Sequence, residues 1–522
     1  MPMETNGKIT GAEAVIRTAA AAGIDVCFAN PGTTELYLVE ALDRCPEIRS
    51  VLAVFEGVCT GAADGYARIS GKPGLALLHL GPGFANGIAN LHNARKAKSP
   101  VISLVGDHAS WHIAANAPLT SDINTLARPM SVWVHTSTAA DTASADMTEA
   151  IAQATRLPGG PATLILPGEV QWDTTGQAIT RPIFPLPAAP EAGEIERAAR
   201  ALHANSASTA IVLGGSGLRT RGLRAVERIA RATGCRVLAP TFPAVQDRGA
   251  GLIAPDKIPY APEPARQVLA PYSTVILAGA SEPVAFFGYP NSRSGLCAEG
   301  AEIFHLCRAT ADPASALAAL ADALSAPAER DVPGAPRPEP PRGALNPLAM
   351  CQAVAAAQHE DTIVMDEGAT SGFAYYGASA GAPRFTYMAL TGGSIGQGLP
   401  CAVGAAAAEP GKRVLNLEGD GSSLYTIQAL WTAAREKQNL TTVICKNRAY
   451  SILRWELERA HITPGAASLA MTGLDRPFFD FVKLAEGFGV EGRAAHTAEE
   501  LNEALHASLR TPGPMLIEAN LE

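Results

Sequence analysis

Short, mostly apolar runs alternate with longer amphipathic stretches over most of the chain. Ile24 to Ala29, Val51 to Phe55, Leu75 to Leu78, Ala210 to Leu213, Thr362 to Met365 and Val414 to Leu417 each read as a buried strand, being too short for a helix and lacking a polar face. Between them lie helical patterns, among them the small-residue stretch Gly57 to Arg68, the run Ala402 to Ala408 and the segment Ser451 to Arg459. Strand, helix and strand in regular succession predict parallel α/β sheets. Two proline-rich seams, Arg181 to Pro190 and Ala326 to Pro341, lack apolar periodicity and suit extended linkers. The expected architecture is three doubly wound parallel-sheet domains, spanning 1–180, 190–325 and 345–522.

Composition narrows the partners. The chain has 522 residues, 47% of them hydrophobic and 17% charged, which suits a globular protein with ample core. A net charge of −9 argues against nucleic acid. No apolar run reaches the roughly 18 residues of a membrane span, and the polar start, Met1 to Thr10, is not signal-like. A cytoplasmic location is therefore expected. Nine cysteines without a C-x-x-C motif, in apolar contexts such as Val26-Cys27-Phe28, read as reduced core thiols. Neither a disulfide nor a zinc site is expected.

The most informative stretch runs from Gly419 to Asn447. An apolar strand enters Gly419-Asp420-Gly421-Ser422-Ser423, a helix-like segment follows, and a second apolar strand ends in Cys445-Lys446-Asn447. Glycines at a helix start let the backbone approach an anion where unpaired N–H groups favour negative charge. Asp420 and Asn447 are hard oxygen ligands suited to magnesium held partly by phosphates. Alone, Gly-Asp-Gly is an ordinary turn. With its spacing to Asn447 and with Ala449-Tyr450 just beyond, it resembles the signature of thiamin-diphosphate-dependent enzymes.

That resemblance implies a diphosphate cradle at Gly419, Gly421 and Ser422, and a magnesium site formed by Asp420, Asn447 and the carbonyl of Ala449. The usual Asn-Asn pair is here Lys446-Asn447. The string from Glu56 through Gly61 and Asp64-Gly65-Tyr66-Ala67 looks like the family's activating glutamate and the helix behind it. Read from the residues alone, Glu56 lies between a buried strand and a helix packed with small side chains, where it needs a partner or a raised pKa. His79 at a strand end, and Thr33 in the loop Asn30-Pro31-Gly32-Thr33-Thr34-Glu35, resemble the proton-transfer positions of benzoylformate decarboxylase. The acetolactate synthase branch has a glutamine where this chain has Pro118-Leu119-Thr120.

Other positions follow from the same resemblance. The hydroxyl of Thr370 would meet the diphosphate from its other side, the carbonyl of Gly393 would meet the cofactor's amino group, and Ile395 would wedge between its two rings. Ile452 and Glu456 share a helix face that fronts the substrate in relatives; an acid at the second position puts a purely aromatic substrate in doubt, and a solvated surface acid is the plainer reading. The middle turn Gly214-Gly215-Ser216-Gly217-Leu218 is an incomplete dinucleotide fingerprint, with Thr220 where a third glycine belongs. Loss of any FAD or ADP site is expected. No histidine occurs near Val284 to Phe287, and His305 reads as structural.

The implied activity is cleavage of a 2-oxo acid beside its carbonyl, with release of an aldehyde or transfer to an aldehyde or 2-oxo acid acceptor. The cofactors are thiamin diphosphate and magnesium, and the implied assembly is a homodimer or homotetramer sharing its active sites. Two rivals remain open: an FAD- or NAD-dependent oxidoreductase using the middle turn, and a catalytically silent partner subunit of the same fold.

Overall fold

The computed structural model describes residues 8–522. Three parallel sheets carry the architecture. The first is six-stranded, ordered Arg49–Leu52, Val26–Asn30, Gly74–His79, Val101–Asp107, Ala162–Pro167, Trp133–Thr136. The second is five-stranded, ordered Asp256–Lys257, Arg236–Ala239, Thr209–Leu213, Thr274–Ala278, Glu302–His305. The third is seven-stranded, ordered Gln246–Arg248, Phe385–Ala389, Thr362–Glu367, Val414–Gly419, Leu440–Lys446, Met515–Asn520, Glu491–Ala495. Their central strands, such as Leu75 to Leu78 and Leu440–Lys446, are buried on both faces, which is why they read as apolar runs rather than alternating ones, while the edge strands are partly exposed.

Each sheet winds in both directions from its starting strand, and an open sheet of this kind has its crevice where the winding reverses, beyond the strands' carboxyl ends. In the first sheet that point lies between Val26–Asn30 and Gly74–His79, so Asn30 to Glu35 and His79 stand at its mouth. In the third it lies between Thr362–Glu367 and Val414–Gly419, so Thr370 and Asp420 stand at the mouth. In the second, Gly214 and Gly279 do.

The proline-rich seams hold no regular element: 176–190 contains no helix or strand, and 327–346 holds only isolated bridges. Between them, the strand Gln246–Arg248 leaves its own segment and pairs antiparallel with Phe385–Ala389, tying the middle of the chain to the edge of the third sheet. Its sequence, Gln-Asp-Arg, carries no strand signal; the exposed edge of a sheet recruits it. The strand expected over Val51 to Phe55 stops at Leu52, and Glu56 itself opens the helix Glu56–Ser70. That helix lies against Gly398–Ala408 at backbone contact, because a side chain at Gly65 would run into the Cys401 carbonyl and one at Gly404 into the Ala62 carbonyl. All nine cysteines are free and buried. Among the described residues, no helix is long and apolar enough to cross a membrane.

Candidate active site

At the third sheet's switch point, Asp420 opens a short turn of helix, Asp420–Ser423, directly after its strand. Its carboxylate is buried and accepts the N–H of Gly421 at 2.9 Å and of Arg448 at 2.6 Å. Asn447 Oδ1 accepts the Ala449 N–H at 3.0 Å, and its Nδ2 donates to Ser371 Oγ at 3.2 Å. Arg448, between the two, is bent into the left-handed region at φ 61°, a costly conformation for a non-glycine residue that clusters at functional sites. Asp420, Asn447 and Ala449 are thereby gathered around one loop. Among the described residues no lysine or arginine side chain pairs with Asp420, and burial pushes its pKa up to about 6. A buried carboxylate beside an amide oxygen and a backbone carbonyl, without a cation of its own, suits a hard divalent metal.

Gly421 must be glycine here, since a side chain would collide with the ring of Tyr450. Thr370 stands opposite in the turn Ala369–Gly372, where Ala369 also has a positive φ of 47°. Lys446 is engaged elsewhere than the Asp420 loop: its Nζ meets Glu518 Oε1 at 2.7 Å, while Glu518 Oε2 accepts the N–H of Phe481 at 2.9 Å. The departure from Asn-Asn is thus a buried ion pair that anchors the helix Phe481–Gly487. Removing one partner strands the other charge, which typically costs about 3–5 kcal/mol. Lys446→Met is therefore expected to lower the urea midpoint markedly while leaving thiamin diphosphate affinity unchanged; a simultaneous loss of affinity would refute this separation.

The glycine loop 391–397 precedes the helix Gly398–Ala408, with Gly393 and Gly396 at φ 76° and 91°. It carries Ile395, half-buried. The helix Leu80–Ala97 holds the loop from the first sheet: Asn90 Nδ2 donates to the Gly396 carbonyl at 3.2 Å and Asn93 Nδ2 to the Ser394 carbonyl at 2.7 Å. Arg68, doubly bonded to Asp64, donates to Thr391 Oγ1 at 3.0 Å.

Glu56 is 7% exposed and finds its partner in Asn86, whose Nδ2 donates to Oε2 at 3.0 Å. Gly83 leaves room beside it: a side chain there would lie 3.2 Å from Glu56 Oε1 and 3.3 Å from His79 Cβ. One glycine thus separates Glu56 from His79. His79 Nδ1 meets Glu35 Oε2 at 2.7 Å and the Thr34 hydroxyl at 3.2 Å. Thr33 sits exposed on the same loop, and among the described residues its hydroxyl has no hydrogen bond to His79. Glu35, fully buried, is the partner that the sequence reading passed over. Its place in the Thr-Thr-Glu string at a switch point was the available signal.

Ile452 and Glu456 do share a face of the helix Ser451–Arg459. Glu456, however, is only partly exposed and is engaged by its neighbours. It accepts the hydroxyls of Tyr289 at 3.1 Å and Tyr260 at 3.4 Å, and the Nε–H of Arg459 at 3.2 Å. What fronts the glycine loop is aromatic: a side chain at Gly393 would lie 2.7 Å from the Phe286 ring. Tyr260 is the hub, with centroids of Phe286, Trp455, Phe373 and Phe242 at 5.3, 6.0, 6.0 and 6.2 Å.

The middle sheet keeps a crevice of about 1410 Å³ at Gly214–Ser216 and Gly279–Ser281. Its anion positions are filled from within. Asp247 Oδ2 accepts both the N–H and the hydroxyl of Thr220 at the start of the helix Thr220–Thr233, at 2.7 and 2.8 Å, and Asp312 accepts the hydroxyl of Ser216 in the glycine turn. A carboxylate where a pyrophosphate would bind repels phosphate, so these residues do not fit a dinucleotide. His305 ends its strand exposed.

Comparison with known proteins agrees with this geometry. Residues 9–126 match the N-terminal TPP binding domain of thiamine pyrophosphate enzymes, and residues 366–519 the C-terminal TPP binding domain. The chain is 46% identical to a Mycobacterium tuberculosis protein, IlvX, named after the acetolactate synthase large subunit, over 98% of both chains. It is 31% identical to a benzoylformate decarboxylase of Pseudomonas aeruginosa, covering 95% of this chain and 96% of that one. The structure of a thiamine diphosphate-dependent 4-hydroxybenzoylformate decarboxylase from Rhodococcus jostii superposes with a TM-score of 0.86 at 26% identity, over 98% of this chain and 99% of that one. The motifs, the switch-point placement of His79 and Asp420 and these full-length likenesses lead to one conclusion: the chain belongs to the thiamine pyrophosphate enzyme family.

Proposed function

We propose that the protein is a magnesium- and thiamin-diphosphate-dependent decarboxylase of 2-oxo acids bearing an aryl or bulky apolar group. The observation that carries this reading is the Glu35–His79 pair, an oriented imidazole on a residue whose Cβ shares the Gly83 gap with the carboxyl of Glu56. When bound, thiamin diphosphate supplies a carbon nucleophile for the 2-oxo carbonyl and an electron sink for the departing carbon dioxide. Asp420, Asn447 and the Ala449 carbonyl would hold magnesium, with Gly419, Gly421, Ser422 and Thr370 around the diphosphate. Gly393 and Ile395 would hold the rings, and Glu56 would hold a proton at N1′ of the pyrimidine. Glu35 accepts from Nδ1 of His79, which fixes the ring orientation and leaves Nε2 for proton transfer. Thr33 and Ile452 would complete the pocket.

The aromatic cluster supports the substrate class, because Phe286 and its neighbours offer flat apolar surface close to Gly393, and Glu456 on the neighbouring helix is engaged by Tyr260, Tyr289 and Arg459. We further place Glu56 and Asp420 of one cofactor site on different protomers of a homodimer, as the fold family's shared sites imply.

The test is a panel of benzoylformate, 4-hydroxybenzoylformate, pyruvate and 2-oxobutyrate with magnesium and thiamin diphosphate, with and without an acceptor aldehyde. Carbon dioxide and free aldehyde from the aryl substrates are expected, with pyruvate the poorer substrate. Capture by the acceptor in place of aldehyde release would make the protein a ligase. Cofactor binding without any turnover would favour the silent-subunit reading, and a yellow, flavin-bearing preparation the oxidoreductase. Phe286→Ala is expected to raise KM for benzoylformate roughly tenfold, from loss of about 1–3 kcal/mol of ring contact, with little change for pyruvate. An equal effect on both substrates would remove Phe286 from the pocket.

A further inference from the structure

Two carboxyl groups lie buried beneath the site, and none of the roles above uses them. Glu367 and Glu418 are directly paired across neighbouring parallel strands, so their side chains stand on one face of the sheet. They are 2% and 0% exposed, and among the described residues neither has a lysine or arginine partner. Both converge on Gly398, where a side chain would run into Glu418 Oε2 and come within 2.9 Å of Glu367 Oε2. Their hydrogen bonds lead in opposite directions. Glu367 accepts the Gly396 N–H at 2.7 Å and the Gly398 N–H, which flank the end of the Ile395 loop. Glu418 accepts the Ser422 hydroxyl at 2.8 Å, from the turn that carries Asp420, and the Asn416 amide at 3.1 Å.

A pair of buried carboxyls without a cation is expensive, and here it joins the two ends of one site. Building on the cofactor reading above, we propose that Glu367 and Glu418 are positioning residues that splint the Ile395 loop to the Asp420 turn, so that filling the diphosphate end orders the ring-bending end. The geometry is suited to this because, among the described residues, Gly396, at φ 91°, is otherwise held by side chains of other elements, Asn90 at 3.2 Å and Thr426 at 3.0 Å. Shifting the Asp420 turn moves Ser422, and through the carboxyl pair it moves the two amides that set the direction of Ile395.

Magnesium with inorganic pyrophosphate tests this, because that probe reaches the diphosphate end and carries no rings. Amide hydrogen exchange is followed in the full-length protein over 419–423 and 391–399, the second segment containing the Gly396 and Gly398 amides. In the wild type the probe is expected to slow exchange in both segments, the loop by roughly fivefold or more, as a coupling of ordinary size would. In Glu367→Gln the turn should still slow and the loop should not. Glu418→Gln, which leaves the loop's own acceptor in place, should give the same loss and covers the case in which the first variant folds poorly. Slowing of the turn alone in the wild type overturns the splint and leaves the diphosphate site standing. Equal slowing of the loop in wild type and variants also overturns it, and slowing of neither segment overturns splint and site together.

Discussion

Glu56→Gln is expected to lower decarboxylation by about 10²–10⁴-fold, the usual range for losing a group that transfers or holds a proton in the transition state. The substitution is nearly isosteric, and the carboxamide can still accept from Asn86 Nδ2. Folding and packing at the head of the helix should therefore be preserved. What disappears is a group able to exchange a proton with a base opposite it, so kcat should fall while the melting temperature and the affinity for thiamin diphosphate stay close to wild type. Circular dichroism melting, a cofactor titration by tryptophan fluorescence and a steady-state assay separate the three quantities. Retained turnover in the glutamine variant would end the role given to Glu56. Loss of cofactor binding together with turnover would reduce it to a structural acid.

The second large effect is expected at Asp420. Asp420→Ala removes the only carboxylate of the proposed metal loop and leaves the N–H groups of Gly421 and Arg448 without their acceptor. Magnesium-dependent cofactor binding should become undetectable, with a stability loss of about 1–3 kcal/mol from the unpaired amides. The wild type carries a pH signature of the same group. Burial raises Asp420 to about 6 in the metal-free fold, and a metal binds the ionised form. Magnesium affinity should thus be flat above pH 6 and fall by about tenfold per pH unit below it.

The sign for the metal-free protein is the reverse. Because the folded pKa lies above the unfolded one, Asp420's contribution to stability is fully present below the ordinary carboxylate range and is lost as pH rises through about 6. Magnesium should restore stability above pH 6. An affinity independent of pH between 5 and 7 would show that Asp420 is not a ligand. Isothermal titration across that range, with thermal melts at matched pH, reads both effects.

Much of this was legible in one dimension because the relevant signals are local. An apolar run ending in Gly-Asp-Gly is strand, turn and helix start by steric necessity, and the structure has the strand over Val414–Gly419 and the helical turn from Asp420. The helix expected over Ser451 to Arg459 is found over those residues. The boundary at Val51 to Phe55 was less legible, since apolar residues before a helix pack equally well without ladder hydrogen bonds. Glu35 was in view as a residue but not as a partner, because its contact with His79 spans 44 positions and forms only when two strands become neighbours.

The sequence by itself determined the alternation of strands and helices, the glycine turns at strand ends, the membership of Glu56 and Asp420 in recognisable strings, and the burial of the cysteines. All of these are properties of a segment and its nearest neighbours. Only the tertiary structure decided what the polar groups face. It turned Lys446 onto Glu518, joined Glu456 to Tyr260 and Tyr289, filled the Thr220 helix start with Asp247, and set Glu367 beside Glu418. The physical reason is common to the first three, and the fourth follows from strand register alone. A buried polar or charged side chain must find its complement within about 3 Å, and which residue supplies it depends on strand order and helix crossing rather than on position along the chain.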